Sequence, residues 1–201
     1  MNTPIWWYVS RASGLVAWGL LTLAMCWGIA LSTHVLGRRH QPSWLLAVHR
    51  FLGGLSVMFV GLHVVAVVAD SHVHFGWGDV LVPAVSRWRT AAVWGIVAMY
   101  LLFAVEVTSL MTKRLPKRVW RGIHFTTFVL YAMSNVHAIL AGHDVHSILY
   151  RVAALTGIQV VLFLSLVRIM YAGRRAAVTA DRRVRDRRAA DGATTDLQSV
   201  R

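Results

Sequence analysis

The chain has 201 residues, of which 57% are hydrophobic and only 14% are charged. A soluble domain carries about a quarter charged residues, so this composition excludes an ordinary soluble enzyme. The net charge of +13 comes from short basic clusters between long apolar stretches and from a basic tail, so we attribute it to membrane topology and exclude a nucleic-acid-binding protein.

Five apolar stretches are each long enough for a helix to cross about 30 Å of hydrocarbon, which takes roughly 20 residues. In chain order they cover residues 14–32, 44–69, 90–111, 119–141 and 148–171. Residues 79–86 contain Pro83 and are too few to cross, so we expect an interfacial loop there. The sequence therefore predicts an all-α integral membrane bundle of about five transmembrane helices, in contact with lipid.

The chain is predicted to divide into a membrane domain, residues 1–172, and a basic cytoplasmic tail, residues 173–201. The tail has eight Arg and four Asp and almost no large apolar residue, so we expect it to lack fixed structure and to be attracted to anionic lipid. Basic residues also follow the first and third spans. The positive-inside rule makes that side cytoplasmic, which predicts a multi-pass plasma-membrane protein with its N-terminus outside.

Four histidines lie inside the apolar spans. His49 and His63 are fourteen residues apart on the second span, which places them on one helix face about 21 Å apart along the axis. His124 and His137 occupy the fourth span, which runs in the same direction. We therefore expect His49 to be level with His124 on the inner side, and His63 with His137 on the outer side.

This arrangement is what two stacked b-type haems require, because a low-spin haem takes an imidazole on each side of its iron. The propionates of a haem need cations at the membrane surfaces, and four arginines are candidates: Arg11, Arg50, Arg121 and Arg151. The thirteen-residue step between His124 and His137 leaves their side chains roughly 140° apart on an ideal helix. Local overwinding, tilt or a different approach of one ring is needed to bring both into register.

The two histidine pairs, together with the run Ser10-Arg11-Ala12-Ser13-Gly14-Leu15, resemble the ferric reductase-like transmembrane domain over residues 8–172. This haem core is shared by ferric reductases, NADPH oxidases and the bacterial sulfoxide-reductase haem subunit. The resemblance implies two b-type haems and electron transfer across the membrane to an outer acceptor. The oxidase branch has a further histidine where this chain has Val67, which puts dioxygen reduction in doubt.

The sequence contains no GxGxxG nucleotide-binding fingerprint, so we expect a separate flavoprotein, or quinol, to donate electrons. A ferric chelate or an outer-face protein would accept them. Two alternatives stay open: a haem and quinol subunit that feeds a separate outer-face oxidoreductase, and a non-redox membrane scaffold or transporter whose histidines bind protons or metal. No catalytic residue is assigned.

Two other groups of residues are candidates for function. A weak metal-acceptor site outside the membrane is suggested by four loop histidines: His72, His74, His143 and His146. Glu106 is an acidic residue within a span and therefore a candidate for proton uptake or quinone binding, although pairing with a basic residue at the inner surface also explains it.

Overall fold

The protein is described here from a computed structural model, which covers residues 5–33, 43–70, 75–83, 89–142 and 146–199. These ranges contain α-helices and no strand, so the all-α prediction is confirmed for the part of the chain described. The helices are α1 Ile5–Thr33, α2 Ser43–Ala69, α3 Trp77–Leu81, α4 Arg89–Leu110, α5 Lys117–Phe125, α6 Thr127–Ala141 and α7 Ile148–Ser199.

Within the described ranges, five helical segments are long and apolar enough to cross a membrane, as in a multi-pass membrane protein. The second, third and fourth lie within two residues of the predicted spans, and the fifth begins as predicted at Ile148 but ends three residues later, at Arg174. The first begins nine residues earlier than predicted, at Ile5 instead of Gly14. The hydroxyl of Ser13 donates to the Val9 carbonyl, and the Arg11 guanidinium lies 4.3 Å from the Trp7 ring centroid, so both polar side chains contact the helix that carries them.

The loop predicted over residues 79–86 begins instead as the end of α3, at Leu81. The Tyr100 hydroxyl of α4 donates to the Leu81 carbonyl at 2.8 Å and ties this short helix to the bundle. Residues 84–86 lie outside the described ranges.

The α1 and α2 helices form an antiparallel pair with a fixed register. Gly14 of α1 lies against His63 of α2, and Gly28 lies against His49. Both pairs of residue numbers add to 77, as expected when two helices pack antiparallel without a shift. The indole of Trp27 also donates to the Leu45 carbonyl across the pair at 2.8 Å.

The α4 and α6 helices complete the part of the bundle that contains the histidines. Gly95 of α4 lies against His137 of α6. An apolar core cluster joins α1, α4 and α6 through Leu21, Leu102 and Leu130, with Ala98. Leu21 is midway between Gly14 and Gly28, so this core separates the two ends of the bundle where the histidines lie.

The fourth span is divided into α5 and α6 at Thr126. The Thr126 N–H donates to the Ile123 carbonyl at 3.0 Å, a tightened turn, and the hydroxyls of Thr126 and Thr127 donate to the Ile123 and His124 carbonyls at 2.7 and 2.8 Å. Such bonds from Thr side chains to the preceding turn bend helices. A tightened turn has about 120° per residue instead of about 100°, so it rotates His124 toward alignment with His137.

The α7 helix continues from the fifth span through the basic tail to Ser199. The structure therefore gives helical backbone to residues that we expected to lack fixed structure. Ala and Arg, which make up much of this tail, are both strong helix formers, so the segment can be helical without large apolar residues to bury. The chain divides into two compact units, Met1–Val161 and Leu162–Arg201, and in the first of these Gly157 lies against Trp18.

Candidate functional site

The four intramembrane histidines meet as two pairs of rings. The ring centroids of His49 and His124 are 6.1 Å apart and their planes cross at 70°. Those of His63 and His137 are 6.2 Å apart and cross at 80°. We call these the first and the second histidine pair. They are the pairs that the equal direction of the second and fourth spans predicted.

The spacing within each pair matches two imidazoles that coordinate one metal ion from opposite sides. A metal–imidazole bond is about 2.0 Å long and the coordinating nitrogen lies roughly 1.1 Å from its ring centroid, so the two centroids would be about 6.2 Å apart. Edge-to-face aromatic contact covers a range of about 4.5–7 Å, which includes this spacing as well. The hydrogen bonds of the rings therefore carry more information than the spacing alone.

In the second pair both rings have a fixed tautomer. Nδ1 of His63 lies 2.7 Å from the Ser10 carbonyl oxygen, and Nδ1 of His137 lies 2.8 Å from that of Ala91. A carbonyl oxygen can only accept, so Nδ1 carries the proton in each ring and donates it. Nε2 is then left with a free lone pair, which is the state that binds a metal.

Three of the four imidazoles lie on a glycine, in one repeated arrangement that we call the glycine cradle. His63 lies on Gly14 and His137 on Gly95, and each donates to the carbonyl four residues before that glycine. His49 lies on Gly28, and the carbonyl that acts on its ring is again four residues earlier, at Ala24. A Cβ at Gly14 or Gly95 would lie 2.9 or 2.7 Å from the ring and would block its approach to the helix carbonyl, whereas one at Gly28 would make a tight contact of 3.0 Å.

The first pair differs from the second in its surroundings. Nδ1 of His49 is buried and, although the Ala24 carbonyl acts on it, the two do not meet hydrogen-bond geometry. His124 stacks on Trp120, with centroids 5.0 Å apart and planes inclined by 23°. The indole N–H of Trp120 is buried with no acceptor in the described part of the chain. A buried donor is normally satisfied, so this end of the bundle is suited to a group that supplies an acceptor.

The two pairs are separated by an apolar layer. Fourteen residues of α2 correspond to about 21 Å of helix. Ser56, midway between His49 and His63, is fully buried, and its hydroxyl donates to the Leu52 carbonyl at 2.8 Å.

Between α1 and α6, the Trp18 indole donates to Asn135 at 3.0 Å. Asn135 is two residues before His137, so this bond holds the α6 end of the second pair against α1.

The four arginines proposed as propionate contacts lie in different environments. Arg50 directly follows His49 and is exposed, and Arg121 is exposed on α5, three residues before His124. Arg11 is half-buried beside Trp7, one turn before Gly14. Arg151 is exposed on α7. Two of the four thus adjoin the first pair in sequence, and Arg11 adjoins the cradle of the second pair.

The loop histidines give no structural site that can be described. His72, His74 and His143 lie outside the described residues, and His146 is exposed just before α7. In the described ranges no group of three or more His, Cys, Asp or Glu side chains converges as a metal site. The acceptor site suggested for these histidines stays a prediction.

Sequence reasoning missed the glycines that contact the imidazoles. The glycines close to the histidines in sequence do not contact the imidazoles: a Cβ at Gly53 would meet the Glu106 carboxylate, and one at Gly54, Gly61 or Gly122 would meet nothing within 4 Å. The missed signal was a matching spacing. Gly14 and Gly28 are fourteen residues apart on the first span, just as His49 and His63 are on the second.

The fold and the paired histidines together define a multi-pass helical membrane protein with two imidazole pairs in its interior. Comparisons with protein-family models, with curated proteins and with solved structures find no match to this chain.

Proposed function

We propose that this chain is a membrane electron-transfer protein, ferric reductase-like, that holds two b-type haems through His49 and His124 and through His63 and His137. The observation that carries the proposal is the near-identical spacing of the two imidazole pairs, 6.1 and 6.2 Å between centroids, at two separate depths of one bundle. One pair alone would be compatible with ordinary ring contact. Two pairs on the same two spans favour a repeated ligand.

The residues present fit haem in three respects. The donor set is two neutral imidazoles per site, which is the set of low-spin b-type haem. The glycine cradles fix the rings and leave Nε2 free in the second pair. Near the first pair, hydrogen-bond donors for the propionate carboxylates of a haem are present in the buried indole N–H of Trp120 and in the exposed Arg50 and Arg121.

The haem supplies one-electron transfer, and the protein sets its position and potential. The Ser10 and Ala91 carbonyls, by accepting from Nδ1, make the His63 and His137 imidazoles more basic ligands. The core around Leu21, Leu102 and Leu130 excludes water between the two sites.

The direction of transfer follows from the orientation that the loop charges predict. The first pair would then lie near the cytoplasm and receive electrons from a separate flavoprotein or from quinol. The second pair would pass them to a ferric chelate or to an outer-face protein. Plasma-membrane location and an outer N-terminus belong to the same proposal.

An absorption spectrum of the purified protein tests the proposal. We expect the sharp, split bands of reduced bis-imidazole haem at about two haems per chain. His63→Ala should remove roughly one haem, the one at the second pair. His49→Ala should remove the other haem, the one at the first pair. Protein that is folded but contains no haem, or that binds a different metal at these histidines, would overturn the proposal in favour of a non-redox scaffold or transporter.

A second experiment separates the two redox readings. The haem-loaded protein is reconstituted in vesicles that contain ferric chelate on the second-pair side, and quinol is added. Reduction of both haems and of the chelate supports a ferric reductase. Reduction of the haems with no ferric reduction supports a subunit that feeds a separate oxidoreductase.

A further inference from the structure

Glu106 is the one acidic residue within the five candidate spans. It lies on α4, four residues before the helix ends at Leu110, so its Cα is about 6 Å along the axis from that end. Its side chain is half-buried, and its neighbours Leu102 and Val105 are 3% and 4% exposed. The carboxylate therefore sits at the edge of the apolar core and is still within reach of the aqueous phase beyond α4.

The carboxylate is held against the helix that carries the first histidine pair. Its Oε1 atom takes the space that a side chain at Gly53 would fill. Gly53 is four residues after His49, so the carboxylate lies about one helical turn from that histidine along α2. A residue larger than glycine at position 53 would exclude the acid from this place.

Other ionisable groups surround this end of α4. The helices α2, α3, α5 and α6 pack against α4, and α1 contacts it through Leu21 in the apolar core. At the end of the bundle where Glu106 lies, α2 and α5 carry histidines and basic residues, and two more basic residues follow α4 itself: His49, Arg50, His124, Lys117, Arg118, Arg121, Lys113 and Arg114. Asp79 of α3 and His137 of α6 belong to the opposite end of α4. Arg50 is the group whose charge acts on the carboxylate of Glu106.

We propose that Glu106 takes up one proton from the adjoining aqueous phase when the site between His49 and His124 gains one electron. The inference rests on the proposed function. Adding an electron makes that site one charge more negative, and a like charge in a medium of low dielectric favours the protonated form of a nearby carboxylate. The electron comes from the donor and the proton from water, so the pair enters the bundle with no net charge.

The test is a spectroelectrochemical titration of the haem-loaded full chain over a range of pH. The titration should show two reduction steps, which we call the first wave for the haem at His49 and His124 and the second wave for the haem at His63 and His137. The midpoint potential of the first wave should fall as the pH rises, by up to about 59 mV for each tenfold fall in proton concentration. The His63→Ala variant, which retains only the first-pair haem, should show the same dependence. Glu106→Gln should abolish it and leave the second wave unchanged.

Two variants complete the design. Glu106→Asp keeps the carboxyl group and should retain a pH-dependent first wave. Asp79→Asn, at the opposite end of α4, should leave both waves as in the unmodified protein. A first wave that is independent of pH in the unmodified protein, or that keeps its full slope in Glu106→Gln, would overturn the inference. If the chain binds no haem at all, the proposed function itself fails and the inference fails with it.

Discussion

An imidazole coordinates a metal only when one ring nitrogen has a free lone pair, and the other nitrogen usually fixes that state by donating a hydrogen bond. In this protein the acceptor is a helix carbonyl, at Ser10 for His63 and at Ala91 for His137. A helix carbonyl is normally shielded by the side chain four residues later. Glycine at that position exposes it, and this explains why the imidazoles lie on glycines.

The glycine cradles can be tested one at a time. A Cβ at position 95 would lie 2.7 Å from Nδ1 and Cε1 of His137, closer than such atoms approach. Gly95→Ala should therefore displace this imidazole and lower the haem content from about two per chain toward one, measured as haem per protein with the reduced absorption spectrum. A Cβ at position 28 would lie 3.0 Å from Cε1 of His49, a tight contact that a small shift relieves, so Gly28→Ala should lower the first-pair haem content less than Gly95→Ala lowers that of the second pair.

Gly19→Ala is the matched control, because a Cβ at this α1 position meets nothing within 4 Å. It should keep both haems and should stabilise α1 by up to about 1 kcal/mol, the usual difference between Ala and Gly in a helix. Equal haem loss in Gly95→Ala and Gly19→Ala would show that the cradle is not specific.

At the scale of the helix, the break between α5 and α6 resolves a mismatch in the sequence. Thirteen residues on an ideal helix would turn His124 and His137 roughly 140° apart. The tightened turn at Thr126 adds rotation in the direction that reduces this angle, and both rings then meet a ring of α2. The two adjacent threonines supply the hydroxyls that bond back to the preceding turn.

Removing these hydroxyls should straighten the fourth span. The double variant Thr126→Val, Thr127→Val keeps the branched side chains but loses both hydroxyl hydrogen bonds. We expect His124 to rotate away from His49, so the first-pair haem is lost or becomes high-spin while the second-pair haem is retained. Electron paramagnetic resonance of the oxidised protein distinguishes the two spin states.

Thr108→Val serves as a control for this variant, because its hydroxyl also bonds back within a helix, to the Ala104 carbonyl of α4 at 2.7 Å. It should leave both haems low-spin. If the double variant likewise keeps two low-spin haems, the threonines do not set the position of His124.

At the scale of the whole molecule, the proposed direction of electron flow depends on orientation in the membrane. Basic residues are concentrated in the segment that connects α4 to α5. Asp79 is on α3, which lies in the connection from α2 to α4 and therefore at the other end of α4. The positive-inside rule therefore predicts that Arg114 is cytoplasmic and Asp79 is outside.

Labelling of single cysteines tests this orientation. Cys26 is the one cysteine of the chain and is replaced by serine. In that background we expect a cysteine introduced by Asp79→Cys to react with a membrane-impermeant maleimide in intact cells. A cysteine introduced by Arg114→Cys should react only after permeabilisation. The reverse pattern would invert the topology and place the second pair on the donor side.

The spans were predictable from sequence because the requirement for crossing a bilayer is local: about 20 apolar residues in one run. The pairing of His49 with His124 and of His63 with His137 was predictable too, because two spans of equal direction place residues of similar depth together. The early start of α1 at Ile5 was not, since polar residues such as Arg11 and Ser13 interrupt the apolar run and make their contacts only within the folded helix.

The sequence by itself thus determined which segments are candidate helical spans and which histidines are level with each other along them. Only the tertiary structure decided which faces meet: Gly14 and Gly28 against the α2 histidines, Gly95 against His137, and the Glu106 carboxylate against Gly53. In a membrane the lipid-facing surface is as apolar as the helix interface, so hydrophobic periodicity does not mark the inward face. Helix rotation and register are instead set by close packing and by a few interhelical hydrogen bonds.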